Sequence, residues 1–251
     1  MKPSRKQLAL IRALYTRHGR KKSGRCICEG IRCCSEIYQS RPELVEFSVA
    51  TAAAAARITI PGELFLVSET DFAALAATVN AQGVLAVVRP PAPPLPTDRP
   101  ADPFILALDQ VGDPGNFGTI VRTAKAAGLT EIWYTAGAVD PYNDKVIRSA
   151  LAAQFLLKLR QFSDLPALCA QAAQFGFPTV YLTDPHRGEN CFQQSALYCR
   201  SVVVIGSEGN GVTPLPGGIP VTIPMPGKFE SLNAAQAATI FIFEYVRRQF
   251  Q

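Results

Sequence analysis

The stretch DQVGDPGNFGTIVR, residues 109–122, decides how this chain is read. It leaves an apolar run at 104–108, turns through Gly and Pro, and enters a helical period over 118–127 that stops at Gly128. Buried strand, glycine-bearing turn and helix in succession form an α/β unit, which offers its strand ends to ligands. Two further stretches have the same character, IGSEGNGV at 205–212 and IPMPGKFESLNAAQA at 223–237. Both touch short β-branched runs, 202–205 and 221–223, that read as strands covered on both faces and so as a mostly parallel sheet. Outward from these, strands are expected at 132–135 and 179–182, and helices at 146–153, 165–175 and 233–248.

Familiar nucleotide and hydrolase motifs do not fit. Gly206, Gly209 and Gly211 give G-x-x-G-x-G, the wrong order for a dinucleotide fingerprint, and no G-x-x-x-x-G-K-[ST] occurs. Ser207 lacks the flanking glycine of a nucleophile elbow, and His18 and His186 are the only histidines. Oxidoreductase, kinase and serine-hydrolase classes are set aside. The residues themselves leave two readings open. Asn116 is a turn residue or a site residue, Arg122 a surface cation or an anion ligand, and Glu208 a loop acid or a polar contact. Ser231 can cap the last helix, with Asn233 inside its first turn.

Composition narrows the class. With 251 residues, 48% hydrophobic and 18% charged, the chain is expected to fold as two domains without general disorder. No apolar run spans a bilayer, no secretory signal is read at the start, and an organellar transit peptide is the weaker reading of the basic N-terminus. Seven of the 20 prolines fall in 90–103. That segment is expected as an extended linker between a small domain, 1–89, and a larger one, 104–251. The small domain reads as alternating helices and strands, with strands at 26–29, 44–50, 63–67 and 84–88. A helix entry is expected at Ser68.

Charge is unevenly spread. Residues 1–32 carry ten Lys or Arg against Glu29 alone, leaving the remainder net acidic although the whole chain is +5. Such a basic start suits a polyanion, or else a solvated face. Seven cysteines, an odd number, indicate a reducing compartment, with the cytoplasm expected. Cys26, Cys28, Cys33 and Cys34 cluster as C-x-C-x4-C-C, which is not a usual zinc spacing, so no metal is expected. Cys26 and Cys28 read as small apolar residues on one face of a strand.

Taken together and in order, DPGNFGTIVRTAKAAG, VIGSEGNG and IPMPGKFESLN resemble the three motifs of the SpoU (TrmH) family of RNA 2′-O-ribose methyltransferases. VDPYNDKVIRSA at 139–150 is similar to the same family. GRCICEGIRCCSEI and QGVLAVV resemble the small ribosomal-protein-like domain that precedes many members. The resemblance implies an α/β fold whose C-terminal sheet, mostly parallel, carries a deep trefoil knot, an exception to the usual rule. It also implies S-adenosylmethionine as cofactor, a homodimer, and RNA as substrate, rRNA ahead of tRNA. The polar active-site set would be Asn116, Arg122, Glu208, Ser231 and Asn233. Gly206, Ile223, Leu232, Leu182 and Met225 would contact the cofactor. Arg17, Arg20, Lys21, Lys22, Arg25, Arg32 and Arg148 would contact RNA.

The family proposal makes Arg122 a base. A guanidinium stays protonated, so a grip on the phosphate beside the target ribose is the sounder expectation. Departures from the family pattern lie outside the polar set: Ala234-Ala235-Gln236 replace a Val and a small residue, and Ala150-Leu151 replace a Met-Gly pair. The competing class is an RNA-binding or ribosome-assembly protein that keeps the fold without methyl transfer.

Overall fold

A computed structural model describes residues 2–227 and 230–250. Lys228 and Phe229 of the third motif lie outside the described residues. The chain divides into two compact units, one of residues up to 92 with 140–156, the other of 93–139 with 157 onward.

The smaller unit runs α1 (Arg5–Leu14), α2 (Arg17–Ser23), β1 (Cys26–Glu29), α3 (Ile31–Ser40), β2 (Val45–Thr51), α4 (Ala52–Ala55), β3 (Leu64–Val67), α5 (Glu69–Ala73) and β4 (Val84–Val88), and takes in α7 (Asp144–Ala150) from further along the chain. Its sheet has the order β1-β4-β2-β3, with β2 and β3 parallel and the other pairs antiparallel. Alternation along β1 explains the two cores. Cys26 and Cys28 face Cys33, Cys34 and Ile37 of α3, while Ile27 joins Ile11, Leu14 and Phe72 on the other face. Burial pushes the thiols of Cys26, Cys28 and Cys34 well above their usual pKa, so they stay protonated and act as apolar filling. Ser68 caps α5 as the sequence suggests, its Oγ accepting from the Asp71 amide at 3.1 Å. The basic start forms two helices: Thr16 caps α2, and Gly24 in the left-handed region ends it.

The larger unit contains β5 (Ile105–Leu108), α6 (Pro114–Ala126), β6 (Glu131–Thr135), β7 (Lys158–Phe162), α8 (Leu165–Gln174), β8 (Thr179–Thr183), β9 (Glu189–Asn190), β10 (Ser201–Ile205), β11 (Ile219–Thr222) and α9 (Ala234–Gln249). All pairings in its seven-stranded sheet are parallel, in the order β7-β6-β5-β10-β8-β11-β9. Strand order reverses between β5 and β10, and ligands settle at such a switch point, outside the C-terminal strand ends.

Two stretches behave differently from their reading in the sequence. Residues 93–103 are docked on the larger unit: Arg160 donates to the Leu95 carbonyl at 2.8 Å and the Asp98 carbonyl at 3.0 Å, and the Asp102 carboxylate accepts from the Thr130 and Glu131 amides. Residues 140–156, taken from the sequence as part of the larger domain, group with the smaller unit. There Ile147, Ala152 and Phe155 join the cysteine face of its core.

Candidate active site

The first motif builds its turn through its own side chains. Asp113 caps α6, accepting from the Asn116 amide at 2.8 Å, and Pro114 stands in the first turn, where a missing N–H costs nothing. The helix therefore begins four residues before the expected Gly118. Asn116 sits in its first turn, and Arg122 is an exposed side chain further along it.

In the second motif, Ser207 and Gly211 exchange both backbone hydrogen bonds at 3.0 Å and pinch residues 207–211 into a tight loop beyond β10. Only glycine fits at 206, because a Cβ there would lie 2.2 Å from the Gly211 carbonyl carbon. The third motif enters α9. Asn233 is its cap, accepting from the Ala235 amide at 2.9 Å and the Gln236 amide at 3.3 Å; the cap expected at Ser231 falls two residues later. Asn and Ser serve equally at that position, so composition alone did not separate them.

These three loops meet. Asn116 donates its amide N–H to Glu208 Oε1, and Asn233 donates to Asn116 Oδ1 at 2.9 Å. Residues 92 and 117 positions apart thus form one polar chain. Beneath it, the buried Asp109 carboxylate accepts from the Thr135 hydroxyl and the Thr213 amide, both at 2.8 Å. Gln110 adds bonds to the same two threonines. Asp109 ties the ends of β5 and β6 to the chain just past the second motif, which fixes where Glu208 hangs.

Beside the polar chain opens a cavity of about 440 Å³. Of the expected cofactor contacts, Gly206, Ile223, Met225 and Leu232 line it, as do Glu208 and Ser231 of the polar set. Leu182 does not; it packs where a Cβ on Gly218 would touch it. Its neighbours Thr183 and Asp184 line the cavity instead, with Val221 and Phe241. The sequence reading missed them, although the C-terminal strand-end rule points one residue past Leu182 to Thr183. Arg122 lies outside both the cavity lining and the polar chain, and it makes no ion pair with the described residues.

The lining suits an adenosine and a methionine held together. Ile205, Val221, Leu232 and Phe241 give apolar walls for a heterocycle and a thioether chain, and Thr183, Asp184, Ser207 and Ser231 give hydroxyls and an acid for ribose and amino groups. Gly206 lines the cavity with its backbone, while its missing side chain leaves room for the Gly211 and Val212 main chain. Among the described residues, no three His, Cys, Asp or Glu side chains gather as a metal site.

The basic residues of the smaller unit divide into two kinds. Arg20, expected at RNA, is a structural residue: its side chain is 6% exposed, pairs with Asp140 at 2.7 Å and donates to the Leu14 carbonyl at 3.0 Å. Arg25 is engaged with Glu46 at 2.5 Å, and Arg148 with Asp144 at 2.8 Å. Arg17, Lys21, Lys22 and Arg32 are exposed and make no ion pair with the described residues.

Comparison with known proteins agrees with this geometry. Residues 103–243 match the model of the SpoU rRNA Methylase family, and residues 6–86 match the MRM3-like substrate binding domain. The chain is 31% identical to an uncharacterized tRNA/rRNA methyltransferase of Synechocystis, over 96% of this chain and 90% of that one. It is 30% identical to the 23S rRNA (guanosine(2553)-2′-O)-methyltransferase RlmP of Bacillus subtilis, over 92% of each. Among solved structures, the SpoU methyltransferase AviRb of Streptomyces viridochromogenes, crystallised with AdoMet, superposes with a TM-score of 0.81 at 26% identity, over 100% of this chain and 99% of that one. A putative TrmH-family RNA methyltransferase of Porphyromonas gingivalis superposes at 0.85 with 28% identity, over 99% and 100%. With a family model covering more than half of its length and a relative 31% identical along nearly all of it, the chain belongs to the SpoU rRNA methylase family.

Proposed function

We propose that this protein transfers a methyl group from S-adenosylmethionine to a ribose 2′-hydroxyl of RNA, with ribosomal RNA the substrate. The observation that carries the reading is the Glu208–Asn116–Asn233 chain at the rim of a cavity lined by Gly206, Ile223 and Leu232. The 23S rRNA specificity of RlmP, a relative over 92% of the chain, supports rRNA. When bound, the cofactor supplies a methyl already activated by the sulfonium charge.

What remains for the protein is alignment and management of one proton, and alignment alone is worth roughly 7–11 kcal/mol in favourable cases. Asn116 and Asn233, locked to each other, orient the ribose, while Glu208 holds Asn116. Ser231 and the Gly206 backbone hold the cofactor. Arg122 grips the phosphate next to the target ribose. As the 2′-oxygen takes the methyl, its proton passes to that phosphate or to water, because a guanidinium is already fully protonated and has no lone pair free to accept it.

The exposed Arg17, Lys21, Lys22 and Arg32 draw the RNA backbone to the small domain. The reading includes a homodimer and a deep knot at the strand ends. A cytoplasmic setting is supported by seven free cysteines.

Incubation with methyl-labelled cofactor and rRNA, followed by ribose mapping, tests the activity. Label at a single 2′-oxygen is expected. Transfer to tRNA alone would redirect the substrate, and cofactor binding without transfer to any RNA would favour an assembly factor.

A further inference from the structure

The smaller unit has a cleft of its own, of about 200 Å³. That is room for one planar heterocycle and too little for a helix. Its floor is Glu29, 3% exposed, whose carboxylate accepts from the Tyr15 hydroxyl at 3.2 Å, the Ala77 amide at 3.0 Å and the Thr78 amide at 3.3 Å, and from the Thr78 hydroxyl. Burial and the neighbouring Glu29 charge raise the Tyr15 pKa, keeping its hydroxyl a donor. Glu29 is thereby saturated, and its work is to fix the 77–78 backbone that leads into the rim.

On that rim stand Asn80 and Gln82, both exposed. The Gln82 carbonyl accepts from the Ile31 amide at 2.7 Å, which leaves its NH2 as donor. Asn80 bonds nothing among the described residues, so its donor and acceptor are both available. Arg32 and Arg148 face the same cleft. Arg148 is partly neutralised by Asp144, and Arg32 is an unpaired cation. Leu151, held in the left-handed region at φ 49°, adds an apolar wall.

With Glu29 and Asp144 offsetting two arginines, the cleft lacks the excess positive charge of a bare phosphate site. Fixed amides, one apolar wall and a guanidinium at the edge match a nucleotide instead, since unpaired bases are read on their edges by such groups and stacked on apolar or guanidinium planes. We propose that this cleft takes one unpaired base of the RNA, with Asn80 and Gln82 reading its edge and Arg32 holding the adjoining phosphate. The proposal rests on the RNA reading above and adds to it the place where sequence is discriminated.

Fluorescence anisotropy of the full chain with labelled ribo-octamers of A, C, G and U, and with a 23S rRNA transcript, tests it. The wild type is expected to prefer one octamer. Asn80→Ala and Gln82→Ala should reduce that preference roughly fivefold or more. Arg32→Ala should weaken all four octamers alike and lower the salt slope by about 0.7. Asn80→Ala touches no internal bond, so it keeps the test valid even if Gln82→Ala unfolds. Wild-type binding without preference, or variants indistinguishable from wild type, would overturn the cleft while leaving RNA methylation standing. Failure of the wild type to bind any RNA would overturn both.

Discussion

Three glycines in the second motif differ in what surrounds them, and substituting each by alanine gives a graded test of how the cavity is built. At Gly206 a Cβ would lie 2.2 Å from the Gly211 carbonyl carbon and 2.3 Å from the Val212 nitrogen. Ordinary contact begins near 3.4 Å, so the backbone of the loop must yield by about 1.2 Å. Both partners are main chain held by the paired Ser207–Gly211 bonds, and no side chain can swing aside. Overpacking of this kind costs about 1–3 kcal/mol. Placed on the ligand-ready loop, that cost weakens S-adenosylmethionine binding roughly 5- to 150-fold.

Gly211 has open space but a φ of +66°, so alanine there should cost about 1 kcal/mol of backbone strain. Gly209 has open space and no positive φ, and its alanine variant should match the wild type. Calorimetric titration with the cofactor, alongside thermal unfolding, measures the series. The expected order of loss is Gly206→Ala, then Gly211→Ala, then Gly209→Ala near zero. Equal affinities for the 206 and 209 variants would refute the reasoning that this loop is a close-packed wall of the cofactor cavity.

Arg122→Ala should abolish methyl transfer while cofactor affinity stays within a few-fold, as measured by turnover and titration; unchanged turnover would remove Arg122 from the mechanism. Arg20→Ala strands Asp140 without its partner and should cost about 3 kcal/mol in denaturant unfolding, whereas Lys21→Ala with Lys22→Ala should leave stability alone and weaken RNA binding with a shallower salt dependence. Asn233→Ala removes the α9 cap and the bond to Asn116, so a loss of about 1 kcal/mol in stability should accompany a larger loss in turnover. Hydrogen bonds from Arg247 and Arg248 hold the Glu244 carboxyl down at about 2 from an ordinary 4.5. Its stabilisation is therefore complete above about pH 4.5 and lost as pH falls toward 2. Acid unfolding of wild type and Glu244→Gln should converge over that interval, and a constant gap would contradict the assignment.

What could be read from the sequence follows from how each residue is satisfied. The VVVI run at 202–205 is fully buried, and a β-branched apolar strand has no other stable place. Lys158–Phe162, reading KLRQF, gave no strand signal, because its central Arg160 is buried by pairing with Glu131 at 2.8 Å and lying over the Trp133 ring. An ion pair between residues 29 positions apart looks, along the chain, like two surface charges. Arg20 misled for the same reason: nothing near it in sequence announces Asp140. The Pro-rich segment reads as an extended linker, and its docking was not legible because its anchors pair with groups distant in sequence: the Leu95 and Asp98 carbonyls with Arg160, and the Asp102 carboxylate with the Thr130 and Glu131 amides.

The candidate site residues divide along the same line. Asn116, Glu208 and Asn233 were identified through family resemblance, while their mutual hydrogen bonds were not legible, because convergence of three loops is a property of the sheet order. Thr183 and Asp184 were missed in favour of Leu182 because the strand end was placed one residue early, and that one residue turns a side chain from the cavity to the opposite direction.

The most direct test of the account is a crystal structure of the protein soaked with S-adenosylmethionine. The cofactor should occupy the cavity against Gly206, Ile223 and Leu232, with Asn116 still bridging Glu208 and Asn233 at its rim. Cofactor seated elsewhere, or those three side chains parted with the cavity filled, would contradict it.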